Sequence, residues 1–122
     1  MRLASKIILR LFHENRLKLT ARDYVYVLKR CGPDDVCFVD PPYLGAKVST
    51  YTDNTLNHAK MIEMLIRAKF RWVLSEYEHP IYDHLTQIFG PPVKIRVQKV
   101  MNNANHTNGT RGGATECLWK NF

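Results

Sequence analysis

An α/β sandwich with a mainly parallel sheet is the fold that this sequence predicts. Segments with the apolar periodicity of helices alternate with short runs rich in β-branched and aromatic residues, which are typical of strands. The run at residues 36–39 is continuous and apolar, as expected of a strand buried on both faces. The last two runs have no helix between them, so we expect these two strands to pair antiparallel. Strands are predicted at residues 17–19, 36–39, 71–75, 93–100 and 114–120.

Four segments have the pattern of helices. One covers residues 5–14, and another is opened by the capping-box form Thr20–Asp23 and continues to Arg30. The third covers residues 55–69, and the fourth begins at Pro80 and ends at Gly90. The apolar residues expected to face the core are Ile7, Ile8, Leu11, Phe12, Leu56, Ala59, Ile62, Leu65, Ile66, Ile81, Leu85, Ile88 and Phe89. In the run that starts at Val93, apolar and polar residues alternate, which predicts a strand with one face in solvent.

The composition predicts one globular domain spanning residues 1–122, with no membrane-spanning segment. Eighteen basic and eleven acidic residues give a net charge of +7, which favours a polyanionic partner such as nucleic acid. The three cysteines, Cys31, Cys37 and Cys117, fit neither a disulfide framework nor a zinc site. We expect reduced thiols in a cytoplasmic protein, with Cys37 and Cys117 in strands. The histidines have no metal-binding spacing, so no metal is predicted.

The most informative segment is Asp40-Pro41-Pro42-Tyr43, directly after the apolar run at residues 36–39. In open α/β sheets the ligand site lies at the carboxyl ends of the strands, so an acid here is well placed for function. The alternative is a simple turn, in which Asp and Pro are common.

Amino-group chemistry accounts for these residue types. An exocyclic aromatic amine is a poor nucleophile because its lone pair is delocalised into the ring. The Asp40 carboxylate and the Pro41 carbonyl could each accept one N–H and localise that lone pair on nitrogen, so that the amine can attack a sulfonium methyl group. Tyr43 would stack on the base once it has left the helix.

At this segment the chain resembles a known family. DPPY is similar to the catalytic motif of nucleic-acid amino-methyltransferases, and the wider sequence resembles the Dam-like adenine-specific DNA methyltransferases. The matching stretches are VCFVDPPYL, STYTDNTLNHAKMIEML, WVLSEYEHPIYDHL and ATECLWKNF. The resemblance implies a partial Rossmann-like methyltransferase sandwich, S-adenosylmethionine as cofactor, and double-stranded DNA with a flipped adenine as substrate.

By this resemblance Asp40, Pro41 and Tyr43 carry catalysis and hold the base, and Pro42 shapes the loop against the substrate. Ser75 and Tyr77 belong to a strand-end motif beside the pocket, with ordinary strand-end packing as the alternative.

The resemblance also implies roles at three further positions, and the charge pattern suggests one at a fourth. By the resemblance, Tyr51 would approach the target strand unless it is only a surface tyrosine. Arg111 lies in a polar loop near the basic strand with Lys94, Arg96 and Lys99, so it would contact a DNA phosphate unless its loop is simply solvated. Asp23 and Tyr24 match positions near the cofactor adenine, although Asp23 is the expected cap of its helix.

The chain departs from the family pattern in one large respect. No F-x-G-x-G cofactor loop precedes DPPY, and the glycine-rich stretch at residues 108–113 follows it and opens no helix. The target-recognition region expected upstream is also missing from this sequence. The chain is therefore expected to be the C-terminal catalytic part, to bind cofactor weakly alone, and to need a missing N-terminal part, possibly on a separate chain. The alternatives are a non-catalytic nucleic-acid-binding remnant and a piece of an RNA or guanine amino-methyltransferase.

Overall fold

A computed structural model describes residues 2–44, 56–98 and 113–122. Within these ranges the chain is an α/β protein in which helices and strands follow one another. In chain order the elements are α1 (Leu3–His13), α2 (Tyr24–Arg30), β1 (Val36–Val39), α3 (His58–Ile66), β2 (Arg71–Tyr77), a 3-10 turn (Pro80–Tyr82), α4 (Asp83–Phe89), β3 (Val93–Gln98) and β4 (Gly113–Lys120). None of the described helices is long and apolar enough to cross a bilayer.

The strands form one open sheet in the order β1-β2-β4-β3. β1 and β2 are parallel neighbours, and β3 and β4 pair antiparallel, so both of these predictions are confirmed. The prediction of a mainly parallel sheet is wrong, because β4 lies between β2 and β3 and runs antiparallel to both. Only the β1–β2 pairing is parallel in the part of the chain that the structure describes.

One face of the sheet packs against helices and forms the hydrophobic core. Trp72 and Leu74 of β2 and Cys117 of β4 are fully buried, and Leu65 of α3 is buried with them. The Trp72 indole also donates a hydrogen bond of 2.9 Å to the Leu65 carbonyl. This bond fixes α3 over β2 and satisfies a polar group that would be costly to bury alone.

The opposite face of the sheet is exposed along its two edge strands, β1 and β3. Val36 and Phe38 of β1 are 56% and 64% exposed, and Val93 and Ile95 of β3 are 60% and 49% exposed. Two predictions are therefore wrong: β1 is not buried on both faces, and β3 is exposed on both faces instead of one. The continuous apolar run at residues 36–39 indicated a strand but could not show that helices cover only one of its sides.

The N-terminal helices also differ from the prediction. The apolar face of α1 is half-exposed, and no residue of α1 is buried. Residues 17–19 form no strand. The cap of α2 is Asp23 rather than Thr20, because the Asp23 carboxylate accepts a hydrogen bond of 2.8 Å from the Val25 amide. The capping role expected for Asp23 is therefore confirmed, whereas a helix opened at Thr20 is not.

The two later helices are shorter than their apolar patterns suggest. Ala59 in α3 and Ile88 in α4 are exposed, so their assignment to the core was wrong. Pro80 begins a separate 3-10 turn, whose backbone carries the buried Tyr82 before α4 starts. α4 ends as predicted at Gly90, whose φ of 95° is a conformation that residues with a Cβ rarely adopt.

Candidate active site at the carboxyl ends of β1 and β2

The Asp40–Tyr43 segment lies beside the end of a second strand. β1 ends at Val39, whose partner on β2 is Leu74. Asp40 therefore follows beside Ser75, near the end of β2 at Tyr77. Parallel neighbours end at the same edge of a sheet. This edge therefore brings together two segments that are more than thirty residues apart in sequence.

Side-chain contacts join the two strand ends. The Tyr43 hydroxyl and the Ser75 hydroxyl are 2.5 Å apart and share a hydrogen bond that either group can donate. The rings of Tyr43 and Tyr77 meet edge to face, with 4.5 Å between their centroids. The structure therefore places Ser75 and Tyr77 beside Tyr43, and their part in a substrate pocket stays a prediction. Burial raises the pKa of Tyr43 above its usual value, so its phenol is neutral at pH 7.

Asp40 is exposed, in contrast to Ser75, which is buried. Its negative charge still reaches its neighbours, since it contributes to the raised pKa of both Tyr43 and Glu76. A carboxylate in this position can bind a ligand that arrives from solvent, close to a tyrosine ring that is already held in place.

A groove of about 650 Å³ runs along β1 to this segment. Its walls are mainly aliphatic and aromatic, and a neighbouring hollow of about 640 Å³ shares Tyr24 and Pro42 with it. The residues that line the groove are Thr20, Arg22, Tyr24, Val27, Leu28, Cys37, Phe38, Val39, Asp40, Pro41, Pro42, Leu56 and Met61. Asp23 lines the second hollow. The structure thus brings the two residues matched to the cofactor close to the DPPY segment.

The sequence reasoning missed a buried polar group behind the site. Glu76 is fully buried, and its Oε1 accepts a hydrogen bond of 2.5 Å from the Leu44 amide. Burial raises the pKa of the Glu76 carboxyl to about 7. The sequence held a usable signal, because residues 72, 74 and 76 point to the same face of a strand and the third of them is a glutamate.

Two further buried groups extend this cluster, Tyr82 beside Glu76 and His58 beside Tyr82. The Nδ1 atom of His58 and the Tyr82 hydroxyl share a hydrogen bond of 2.6 Å. Both residues are buried, and burial lowers the pKa of His58 and raises that of Tyr82. Among the described residues no group of His, Cys, Asp or Glu side chains could hold a metal ion.

Two of the predicted site residues, Tyr51 and Arg111, lie outside the described residues, as does the glycine-rich stretch up to residue 112. Comparison of the chain with protein-family models, with curated proteins and with solved structures finds no match in any of the three. The residues and geometry of the strand-end site therefore carry the function proposed below.

Proposed function

We propose that this chain carries the catalytic segment of a site-specific, adenine-specific DNA methyltransferase, which transfers a methyl group from S-adenosylmethionine to the N6 amine. One observation carries the proposal. A DPPY segment follows β1 at the carboxyl edge of the parallel strand pair, where open α/β sheets usually bind ligands, and its tyrosine is bonded to Ser75 near the end of β2.

The acceptor groups of the segment suit the activation of an amine. The Asp40 carboxylate would accept one N–H of the adenine amine, and the Pro41 carbonyl would accept the other. Two acceptors draw the lone pair out of the ring and stabilise the positive charge that develops on nitrogen. Their interaction is therefore stronger in the transition state than in the ground state, which is the condition for catalysis.

The tyrosine of the segment suits a flipped base. Its ring is held at the hydroxyl by Ser75 and at one side by the Tyr77 ring, so it loses little conformational freedom on binding. Tyr43 is nevertheless only partly buried and keeps ring surface for a ligand. Stacking of a base on such a ring contributes about 1–3 kcal/mol.

The groove beside the segment fits the adenosyl part of the cofactor in size and character. Ligand pockets of roughly 300–1,000 Å³ with mostly apolar walls are usual for molecules of this class. Tyr24 offers an aromatic contact within this groove, and Asp40 lies in the same groove. S-adenosylmethionine would supply the electrophilic sulfonium methyl group. Because no F-x-G-x-G loop precedes DPPY in the sequence, we expect this chain alone to bind the cofactor weakly.

The test is single-turnover methylation of an adenine-containing duplex, with the chain supplied alone and together with a polypeptide that carries a glycine-rich cofactor loop. Asp40→Ala should lower the rate about a hundredfold to a thousandfold, because it removes a preorganised electrostatic partner. Asp40→Asn should also be slow, since it keeps an acceptor but loses the charge. The matched control is Asp34→Asn, which removes an exposed carboxylate before β1 and should leave the rate unchanged. Near wild-type turnover by Asp40→Ala, with circular dichroism showing a folded chain, would refute the mechanism.

A second experiment separates base holding from chemistry. With 2-aminopurine in place of the target adenine, fluorescence should rise when the base leaves the stack. Tyr43→Ala should weaken this flipped complex by about fivefold to a hundredfold, in line with lost stacking. Tyr43→Phe keeps the ring and loses the Ser75 hydrogen bond, so it should bind closer to wild type. Equal losses in both variants would assign the role of Tyr43 to its hydroxyl rather than to its ring.

A further inference from the structure

A carboxyl group lies inside the core directly behind the Asp40–Tyr43 segment. Glu76 is on the side of β2 that also carries Trp72 and Leu74, and all three residues have no exposed surface. A carboxyl group at such a position is unfavourable, because burial removes its hydration. An apolar side chain would serve packing better, so packing alone does not account for a glutamate here.

The Leu44 contact gives the carboxyl a specific role. Leu44 is the residue that follows Tyr43, and its amide donates to Glu76 Oε1 at 2.5 Å. The preceding residue of β2, Ser75, bonds the Tyr43 hydroxyl. Two consecutive residues of one strand thus hold two consecutive residues of the other segment, one through a side chain and one through the backbone.

The helical side of the core adds a second connection. Tyr82 lies close enough to Glu76 for the glutamate charge to raise the pKa of the Tyr82 phenol. The Tyr82 hydroxyl in turn lowers the pKa of Glu76. The same hydroxyl is bonded to His58, at the start of α3. Glu76 therefore contacts the chain before residues 45–55, at Leu44, and Tyr82 contacts it after them, at His58.

We propose that Glu76 is the positioning residue of the Asp40–Tyr43 segment, acting through the Leu44 backbone to hold Asp40 and Tyr43 toward one bound base. This inference rests on the proposed function and deepens it. Glu76 is buried, so its effect on the reaction is transmitted through the segment that it holds.

The protonation state of Glu76 sets how firmly the segment is held. Its pKa is raised to about 7, chiefly by burial and also by Asp40, while the Leu44 and Tyr77 amides and Tyr82 oppose the rise. Beside these groups stand His58, through Tyr82, and the Cys117 thiol on β4, the register partner of Glu76. An ionised acceptor forms hydrogen bonds roughly twice as strong as a neutral one. Raising the pH through about 7 therefore tightens the hold on Leu44.

The first arm of the test needs no methyl transfer. Amide NMR spectra of the full chain are recorded from pH 5.5 to 8.5, and the Leu44 amide signal should titrate with a midpoint near 7. Glu76→Gln keeps an oxygen acceptor and should abolish this titration. The control Glu63→Gln removes an exposed carboxylate of α3 and should leave the Leu44 titration unchanged. A Leu44 signal that does not titrate, or that still titrates in Glu76→Gln, would overturn the proposal.

A second variant keeps the first arm decisive if Glu76→Gln fails to fold. Tyr82→Phe removes the hydroxyl that lowers the pKa of Glu76, so the Leu44 midpoint should move to higher pH. An unchanged Leu44 midpoint in a folded Tyr82→Phe chain would contradict the assignment of this titration to Glu76, because Leu44 would then respond to some other group.

The second arm measures the pH profile of methyl transfer in the chain supplied with a cofactor-loop polypeptide. Wild-type kcat should rise about fivefold to tenfold through pH 7, reflecting the stronger charge-assisted bond to Leu44. Glu76→Gln should lose this rise without a change in KM for DNA, whereas Glu76→Leu should be slow at every pH. An unaltered profile in Glu76→Gln would refute the positioning role but leave the proposed function intact. No methyl transfer by any variant, with the Leu44 titration as expected, would refute the proposed function alone.

Discussion

The two faces of the sheet differ in how much of their side-chain surface is exposed. On the helix-covered face, Trp72 and Glu76 of β2 have no exposed surface. On the opposite face, the neighbouring β1 presents Phe38 with 64% of its surface exposed. Trp72 and Phe38 are both large aromatic residues in adjacent strands, yet only Trp72 is enclosed by the core. For these two aromatic residues, burial depends on which face of the sheet the helices cover and not on residue type.

The difference has a consequence for the site. The covered face is where a buried carboxyl can hold the segment that follows Tyr43, because helices exclude water from it. The opposite face carries the Ser75 hydroxyl, which is bonded to Tyr43, but it has no buried carboxyl among the described residues. Substitutions on the two faces should therefore change the free energy of unfolding by very different amounts. Four unfolding experiments test this difference, and a variant of the α2 cap near the groove is compared with them.

The largest effect is expected at Trp72. Trp72→Ala should lower the free energy of unfolding by about 3–5 kcal/mol, because it empties a large volume in the core and deletes the hydrogen bond to the Leu65 carbonyl. Urea unfolding followed by circular dichroism measures the change. A loss below about 1 kcal/mol would show that the covered face is not the stabilising core.

The next effect is a pH dependence on the covered face. The pKa of Glu76 rises from the usual 4.5 to about 7 in the folded chain, so between these values the folded form keeps a proton that the unfolded form loses. Stability should therefore fall as pH rises across this window, by up to about 1.4 kcal/mol per pH unit. The difference between wild type and Glu76→Gln isolates this term, since the lowered pKa of His58 acts in the opposite direction in both chains. Parallel pH curves for the two chains would contradict the assignment.

A smaller loss is expected for Tyr82→Phe. The variant keeps the ring in the core but removes the hydroxyl bonded to His58, and a buried group left without a partner costs about 1–3 kcal/mol. Thermal or urea unfolding gives the value. Its matched control is Tyr26→Phe, an exposed tyrosine of α2, which should change stability very little. Equal effects in the two variants would deny the His58 hydrogen bond any stabilising role.

Asp23→Ala should lower stability by about 0.5–2 kcal/mol through loss of the α2 cap. Asp23→Ser retains a capping oxygen and should recover most of this loss. The pair also separates capping from cofactor binding: if Asp23→Ser is stable but binds S-adenosylmethionine more weakly than wild type, the aspartate has a second role in the hollow beside Tyr24. Equal cofactor affinity in calorimetry would assign Asp23 to the cap alone.

The smallest effect is expected at Phe38 on the uncovered face. Phe38→Thr introduces a β-branched residue that suits a strand and should change the free energy of unfolding by no more than about 0.5 kcal/mol. A loss comparable with that of Trp72→Ala would show that something covers this face in solution, and the contrast between the two faces would fail.

Part of the site was predictable because it is local in sequence. Asp40, Pro41 and Tyr43 form one motif after an apolar run, and a motif of this kind is visible without a structure. The pairing of β1 with β2 was also predictable, since a strand, a helix and a strand in succession favour parallel neighbours. Glu76 was not predicted, because its importance comes from a contact with the backbone of Leu44, 32 residues away.

The sequence by itself determined where the four strands of the sheet lie and that the last two pair antiparallel, because periodicity and local motifs encode these features. It also predicted which residues would carry amine chemistry. Only the tertiary structure decided that β4 lies between β2 and β3, that helices cover one face of the described sheet, and that a carboxyl is buried behind the motif. An apolar run indicates that a segment prefers to be buried, but it does not specify which other segment will pack against it. Strand order and the pKa of Glu76 depend on segments that meet only after the chain has folded.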